Sequence, residues 1–228
     1  MGTSYNPKIV TNGLVLNLDA ANKKSYPGAG TTWTDLTKNK SNGTTVNSPV
    51  FSSNNNGYFT FDGVSTYVNM PTSSFPTGNQ ITIGIWNYGI TAVAASAIWL
   101  GDVSNNRTIN IHLPWSDNTV YFDCGNSGGT YDRINTAALS ASQWQNSWHY
   151  WVFTKNVTTG TMQIFLDGVL NTSGTGKTLP ILIPTTAYIG RFTGTYHNGR
   201  ISKVDVYNRV LTASEILQNY NATKGRFG

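Results

Sequence analysis

Two consecutive segments in the last third of the chain constrain the fold more than any other feature. Residues 149–155 (HYWVFTK) and 162–168 (MQIFLDG) both have the alternating character of β-strands. The dipeptide Asp167-Gly168 closes the second segment, and Asp-Gly next to apolar runs favours the tight turn of a β-hairpin. The two segments therefore predict two β-strands, with a tight turn at the end of the second.

A third segment, residues 199–216, follows and changes character halfway. Its first part predicts a strand, and its second part predicts a short helix from Ala213 to about Tyr220. Thr212 and Glu215 have the spacing of a capping box, in which each side chain accepts a hydrogen bond from a backbone N–H at the helix start. The segment therefore predicts one C-terminal helix and gives Glu215 a structural role.

The rest of the chain repeats short strands and turn signals, which favours a sandwich or barrel over alternating strands and helices. Residues 81–90 form the longest apolar strand, and both of its faces are apolar. A strand of this kind is covered on both sides, either within the domain or by a partner. No linker or internal repeat is present, so we expect a single domain.

These segments resemble motifs of the concanavalin A-like, laminin-G-like superfamily of lectins and glucanases. The last third matches the family's W-H-H-V-A strand, Y-V-D-G hairpin and G-x-I-D-E-V-x-I-Y-N-R-A-L ending. Residues 61–68 (FDGVSTYV) and 81–86 (ITIGIW) are similar to its F-D-G-x-x-D-Y-V and F-T-I-E-A-W steps. The resemblance implies an all-β, two-sheet antiparallel jelly-roll sandwich with one short C-terminal helix, and residues 1–228 as a single domain. The fold alone does not imply a function.

Composition argues against two classes of partner. Only 11% of residues are charged, and the net charge of +5 is spread along the chain. Nucleic-acid binding favours a clustered basic surface, so we expect no nucleic-acid partner. No apolar run approaches the length of a membrane-spanning helix, so we expect no membrane insertion. The N-terminal residues lack the pattern of a signal peptide, so we expect synthesis in a host cytoplasm without export.

The family's glucanases are expected to carry two glutamates close together on one strand, because glycoside hydrolysis needs a pair of carboxylates. Here Glu215 is the only glutamate, and the aspartates never occur as D-x-D. His112, His149 and His197 are isolated on predicted strands, and we interpret them as packing residues. The sequence therefore predicts a protein that is not an enzyme.

The resemblance leaves calcium open as a cofactor, and no other cofactor is predicted. Asp19, Asp35 and Asn39 match positions where relatives often have acidic or amide groups, and calcium prefers such oxygen ligands. Thr66 and Ser202 stand where the family motifs have acids, which weakens the expectation. The alternative is that these side chains hold structural turns.

Glycan binding by this fold relies on exposed aromatic side chains that stack on sugars and on Asn or Asp side chains that bond hydroxyl groups. We expect such a site in the middle loops, at Trp99, Trp115, Tyr131, Asp117, Asn118 and Asn126. The alternative for the three aromatic residues is ordinary packing or a protein–protein contact.

The resemblance extends to residues 219–228 (NYNATKGRFG), which look like the ending of laminin-G-like structural proteins of tailed bacteriophages. It implies a non-enzymatic structural, decoration or adhesion component located in the virion. Its partners would be other virion proteins or copies of itself, and a cell-surface polysaccharide is a further candidate partner. The alternatives are a free carbohydrate-binding lectin module and, less favoured by the residues, a glycan hydrolase.

Overall fold

The protein consists of two β-sheets packed face to face. The structure is a computed structural model, which describes residues 7–102 and 106–227. In chain order the described strands are β1 (Leu14–Asp19), β2 (Thr32–Trp33), β3 (Gly43–Val46), β4 (Val50–Ser52), β5 (Tyr58–Asp62), β6 (Tyr67–Asn69), β7 (Gln80–Gly89), β8 (Ile98–Gly101), β9 (Arg107–His112), β10 (Tyr121–Ser127), β11 (Thr130–Asn135), β12 (Trp148–Asn156), β13 (Thr161–Leu166), β14 (Val169–Gly174), β15 (Thr186–Ile189), β16 (Arg191–Phe192), β17 (Thr195–Tyr196) and β18 (Asn198–Tyr207). The helices are α1 (Ala213–Thr223) and the short 3-10 helices Asn54–Asn56, Thr72–Ser74, Ala141–Gln143 and Lys224–Arg226.

The first sheet has the strand order β14-β13-β12-β7-β18-β5-β4, and β1 also pairs with β18. The second sheet has the order β11-β10-β9-β8-β15-β6-β3-β2, while β16 and β17 form a separate hairpin. The pairings between these strands are antiparallel. The predicted two-sheet antiparallel sandwich with one short C-terminal helix is confirmed.

Strand β7 is central, as the apolar pattern of residues 81–90 predicts. It pairs with β12 on one side and with β18 on the other. Ile83 and Ile85 belong to the core between the two sheets. Trp86 lies on the opposite face in a second apolar cluster, which also contains Ile216 of α1. Both faces of β7 are thus buried within the chain itself.

Helix α1 begins at the predicted capping box and extends to Thr223, slightly beyond the predicted end. Glu215 N–H donates to Thr212 Oγ1 (3.3 Å), and Thr212 N–H donates to Glu215 Oε2 (2.9 Å). Arg209 adds two hydrogen bonds to the Glu215 carboxylate, which lower its pKa to about 2. The structural role of Glu215 is confirmed. No helix of the described residues has the length and apolarity to cross a membrane.

A buried lysine connects the two sheets near the strands that carry the candidate site. Lys155 of β12 is fully buried, and its Nζ donates to Asp132 Oδ2 of β11 (2.7 Å) and to the Cys124 carbonyl of β10 (2.6 Å). Removing either partner of such a pair leaves an uncompensated buried charge. This contact fixes the position of the β10–β11 hairpin over the core.

The β10–β11 hairpin closes with a two-residue turn. Gly128 and Gly129 both have positive φ, at 58° and 89°, between the paired residues Ser127 and Thr130. Two positive φ angles are required by the turn type that matches the twist of paired strands, and glycine adopts them without strain. The glycine-rich segment is therefore an ordered turn that brings Tyr131 back alongside β10.

Candidate ligand-binding site

The candidate site lies on the outer face of the second sheet. Ile109 and Ile111 of β9 and Phe122 of β10 point into the core. Because side chains alternate between the two faces of a strand, His112 of β9 and Asp123 of β10 point the other way. This outer face collects polar and aromatic side chains over strands β9, β10 and β11.

Asp123 is the central charged group of this face. It is fully buried, and it accepts hydrogen bonds from Arg133 Nε (2.5 Å), Arg133 Nη2 (2.9 Å) and Arg107 Nη1 (2.8 Å). The hydrogen bond to Asp123 raises the pKa of Arg133, so its positive charge is secure. One buried carboxylate therefore holds two guanidinium groups in fixed positions, which leaves a net charge of +1 for the three side chains.

Tyrosine rings flank both guanidinium groups. Arg107 Cζ lies 4.4 Å from the centroid of the Tyr131 ring, and Arg133 Cζ lies 4.7 Å from that of Tyr121. Such cation–π contacts contribute about 0.5–2 kcal/mol each, depending on exposure. The Tyr121 hydroxyl donates to Asp117 Oδ2 (2.7 Å), which raises the pKa of the phenol. The Tyr121 ring is thereby held in one orientation.

His112 forms the floor of the site and is 3% exposed. Its Nδ1 lies 2.7 Å from the Ala95 carbonyl and its Nε2 lies 3.0 Å from Asn110 Nδ2, so the neutral ring donates through Nδ1 and accepts through Nε2. Burial lowers the pKa of His112 to about 4. Trp115 packs against this ring at 4.4 Å between centroids.

These side chains enclose a cavity of about 260 Å³. It is lined by Arg107, His112, Trp115, Tyr121, Tyr131, Arg133 and Phe192. Trp115, Tyr121 and Tyr131 are half-buried, so their rings remain partly accessible. The cavity combines aromatic faces with fixed hydrogen-bond donors.

The predicted glycan residues divide into two groups. Trp115 and Tyr131 line the same cavity, and the exposed Asp117 stands beside it through its bond to Tyr121. Asn118 is exposed in the adjacent turn, where it has a φ of 63°. The structure therefore brings together four of the six predicted positions.

The other two residues are corrections. Trp99 lies within strand β8 and is 1% exposed, because it packs against the Phe192 ring at 4.8 Å. Asn126 is 5% exposed, its Nδ2 donates to the Arg107 carbonyl, and its Oδ1 accepts from Gly129 N–H. Both side chains are buried, and neither is the exposed loop contact that was predicted.

The sequence prediction missed Arg107, His112, Tyr121, Arg133 and Phe192. A signal was available for two of them, because Tyr121-x-Asp123 and Tyr131-x-Arg133 repeat an outward tyrosine two residues before a charged residue. Side chains two residues apart share a face of a strand. The partner on β9 could not be identified without the register of the strands.

The residues proposed for calcium do not fit a divalent cation. Asp35 is fully buried, and its oxygens accept hydrogen bonds from the N–H groups of Asn17 (3.0 Å), Thr37 (2.9 Å) and Ser41 (3.0 Å). Asn39 turns its amide nitrogen, a donor, toward the neighbouring backbone. Donors thus occupy the Asp35 oxygens that a calcium ion would need.

Asp19 is also committed elsewhere. Arg226 Nη1 lies 2.8 Å and 2.9 Å from its two carboxylate oxygens. Within residues 7–102 and 106–227, no group of three or more His, Cys, Asp or Glu side chains is arranged to hold a metal ion. The alternative, in which Asp19 and Asp35 hold structural turns, agrees with the observed hydrogen bonds to Ala21 N–H and Thr37 N–H.

His149 makes a more specific contact than the predicted packing role. Its Nδ1 lies 2.8 Å from Asp167 Oδ2, and its Nε2 lies 2.8 Å from Ser147 Oγ. Asp167 Oδ1 also accepts the N–H of Tyr150 at 2.8 Å. The chain of contacts ties the β13–β14 turn to the start of β12.

A family model described as "Concanavalin A-like lectin/glucanases superfamily" matches residues 62–217, which is more than half of the chain. The protein belongs to this superfamily. No curated protein matches the chain. The assignment therefore identifies the fold family without assigning an activity.

Three solved structures illustrate the fold of this superfamily member. Domain 4 of AbnA, a GH43 extracellular arabinanase from Geobacillus stearothermophilus, in complex with arabinotriose, is 14% identical with a TM-score of 0.70, covering 91% of this chain and 98% of that one. The binding domain of Paraclostridial Mosquitocidal Protein 1 is 15% identical with a TM-score of 0.71, covering 92% and 52%. Botulinum neurotoxin type C, whose cell entry depends on interaction with two ganglioside molecules, is 15% identical with a TM-score of 0.72, covering 92% and 51%. This chain thus spans about half the length of the two toxin chains.

Proposed function

We propose that this protein is a non-enzymatic carbohydrate-binding domain whose ligand occupies the cavity between Trp115, Tyr121 and Tyr131. The observation that supports this most directly is the pairing of accessible aromatic rings with two arginines fixed by the buried Asp123. Groups that are already ordered lose little freedom when a ligand binds. The site is therefore organised before a ligand arrives.

The chemistry of the cavity suits a polyhydroxylated ring. The faces of Trp115 and Tyr131 offer apolar surface for the C–H groups of a sugar. The guanidinium groups of Arg107 and Arg133 offer donors, and the exposed carboxylate of Asp117 offers an acceptor for hydroxyl groups. Aromatic walls with a few placed polar groups are typical of small-molecule sites.

The solved neighbours support the same class of ligand. An arabinanase domain was determined with arabinotriose, and a neurotoxin with a related fold depends on gangliosides for cell entry. Both are proteins that contact glycans, although their low identity to this chain supports only the fold. The proposal depends on the side chains of the cavity.

The experiment is a glycan-binding measurement on the wild type and on Tyr131→Ala. The panel contains arabinotriose, neutral oligosaccharides and a ganglioside headgroup. Loss of the ring that contacts both the ligand and Arg107 should weaken binding about tenfold, which corresponds to about 1.4 kcal/mol. Tyr88→Ala is the matched control, because Arg200 lies over the Tyr88 ring at 4.5 Å on the first sheet. Absence of binding to the whole panel, or equal binding by Tyr131→Ala and the wild type, would refute the proposal.

The non-enzymatic part has its own test. Glu215 is engaged in the helix cap, and the contacts of His149 and Asp167 hold a turn. The atoms of Ser147, His149 and Asp167 follow the order of a hydrolytic triad, so a fluorophosphonate probe provides a direct check. We expect no labelling of Ser147 and no cleavage of the panel glycans. Labelling of Ser147 by the probe would contradict this part of the proposal.

The virion location and the virion partners stay predictions from the resemblance. A decoration or adhesion role would place a glycan-binding domain on the particle surface, where copies of the chain would dock on other virion proteins. Purified particles should then contain the protein at a fixed ratio to the major structural protein. Recovery of the protein only in the unbound fraction would contradict the virion role and leave the glycan site to be tested separately.

A further inference from the structure

A second arginine–tyrosine cluster lies on the same outer face of the second sheet. Arg191 of the β16–β17 hairpin has its Cζ 4.8 Å from the ring centroids of Tyr67 and Tyr188, and 5.9 Å from that of Tyr196. Three aromatic rings therefore surround one guanidinium group. Each ring favours the cation through its negative face.

This cluster borders a cavity of its own, of about 180 Å³. The cavity is lined by Trp99, Asp102, Thr186, Tyr188, Arg191 and Thr193. Arg191 Nε is buried without a hydrogen-bond partner among the described residues, and the guanidinium forms no ion pair with them. Native proteins rarely leave buried donors unused, so each such group needs an explanation.

The two cavities are neighbours across one aromatic side chain. Phe192 lines the first cavity, and its ring centroid lies 6.1 Å from that of His112. The same ring lies 4.8 Å from the centroid of Trp99, which lines the second cavity. Arg191 is the residue next to Phe192 in sequence. A ligand that crosses Phe192 would therefore contact both cavities.

Their spacing follows from the order of the strands. Tyr121 is on β10 and Tyr188 is on β15, with β9 and β8 between them. Neighbouring strands lie about 4.8 Å apart, so these two strands are separated by about 14 Å. Each cavity is smaller than the roughly 300 Å³ at the lower end for small-molecule sites. The arrangement suits a chain of several sugar rings better than a single sugar.

The charges of the face are balanced. The arginines Arg107, Arg133 and Arg191 are matched in number by the aspartates Asp102, Asp117 and Asp123. His112 is neutral above about pH 4 because burial lowers its pKa to that value. With no net charge, the face offers donors and acceptors but little attraction for an anion.

We propose that the Arg191 cavity is a second subsite for the same glycan, so that the outer face of the second sheet binds an extended, uncharged polysaccharide. The inference rests on the proposed carbohydrate-binding function. It adds the length and charge class of the ligand. Arg191 and Tyr188 bind the part of the chain that extends beyond the first cavity.

The test compares oligosaccharide lengths. The probes are arabino-, xylo- and galacto-oligosaccharides of two to six residues. For the wild type, the longest member of the preferred series should bind at least tenfold more tightly than the disaccharide. Arg191→Leu should reduce binding of the longest member about tenfold while it changes disaccharide binding less than twofold. Arg191→Lys should show an intermediate loss, because lysine keeps the charge without the planar stacking group.

Arg200→Leu is the matched control. Arg200 also lies over two tyrosine rings, at 4.5 Å from Tyr88 and 5.2 Å from Tyr58, and its Nε is also buried without a described partner. It is on the outer face of the first sheet, so its loss should not change glycan affinity. Thermal melts of all variants verify that each protein is folded.

The outcomes separate the two proposals. If the wild type binds no probe of any length, the proposed function fails. If it binds the disaccharide and the longest member equally, or if Arg191→Leu matches Arg200→Leu, only the second subsite fails. Affinity should change less than twofold between 50 and 500 mM salt, since only charge interactions are screened. A strong decrease with salt would overturn the assignment of an uncharged ligand.

Discussion

The two arginine–tyrosine clusters on the second sheet differ in what holds the guanidinium groups. Arg107 and Arg133 share the buried carboxylate of Asp123, whereas Arg191 is surrounded by tyrosine rings and forms no ion pair with a described residue. An ion pair fixes both distance and direction, while a ring mainly restricts the plane of the guanidinium. We therefore expect the first cluster to be rigid and sensitive to mutation of its acid, and the second to be more adaptable.

The difference assigns different roles to the two subsites. A fixed pair of guanidiniums can select the orientation of one sugar ring, because its donors do not move. A guanidinium held by three rings offers stacking area and adjustable donors, which suits a more variable part of a chain. Specificity is thus expected at the Arg107–Arg133 cavity, and added affinity at the Arg191 cavity.

The largest expected effect comes from Asp123→Ala. The substitution would leave Arg107 and Arg133 without their shared partner in a largely buried setting, and breaking such a pair costs about 3–5 kcal/mol. Chemical denaturation should show this loss of unfolding free energy, and glycan binding should disappear. Arg191→Leu should lose less than Asp123→Ala, because no buried acid is left behind.

Asp117→Ala is the control for this comparison. Asp117 is exposed and bonds the Tyr121 hydroxyl and the Thr119 N–H, so its removal should cost under about 1 kcal/mol. Equal stability losses for Asp123→Ala and Asp117→Ala would show that the buried carboxylate does not organise the first cluster.

The next largest effect should be a loss of folding stability at low pH, and one of the two histidines responsible lies in the first cluster's cavity. Burial lowers the pKa of both His112 and His197 to about 4, below the value of about 6.5 for an unfolded chain. A depressed histidine pKa means that the unfolded chain binds more protons between these values. Stability is therefore full above about pH 6.5 and falls as the pH decreases toward 4, by roughly 3 kcal/mol for each histidine.

Only one of these histidines lies in the candidate site. His112 forms the floor of the first cavity, whereas His197 Nε2 bonds Asn87 of the first sheet. Disaccharide binding, which uses the first cavity, should weaken below about pH 5, and urea denaturation across this range should show the loss of stability. A flat stability profile from pH 7 to pH 4.5 would contradict the buried, neutral state of the two rings.

The sequence predicted the parts of the fold that depend on local pattern. The apolar residues 81–90 predicted the central strand β7, and the spacing of Thr212 and Glu215 predicted the start of α1. Each of these signals is formed by residues that are close together in the sequence, so it can be recognised without tertiary information. The resemblance to the superfamily motifs supplied the two-sheet antiparallel sandwich, but it did not give the order in which the strands pair.

The candidate site was predicted only in part because its key contacts are not local. Arg107, Asp123 and Arg133 lie on three strands and meet only through the register of β9, β10 and β11. Trp99 shows the opposite error, since its place beside variable loops suggested exposure. In the structure, the β16–β17 hairpin places Phe192 over it. An aromatic residue near a loop is buried when another segment covers it, and the sequence around Trp99 contains no sign of that segment.

The smallest expected effect is at Glu215, far from both clusters. Glutamine preserves the capping geometry toward Thr212 but loses the charge that pairs with Arg209 at 2.6 Å. Both side chains are partly exposed, and ion pairs of this kind contribute about 0.2–1 kcal/mol. Glu215→Gln should therefore lower the unfolding free energy by under 1 kcal/mol, and Glu215→Ala by about 1 kcal/mol. Neither change should alter glycan affinity. A loss of binding in the folded Glu215→Gln variant would show that the outer face of the first sheet takes part in recognition, and the contrast between the two clusters would then describe only part of the site.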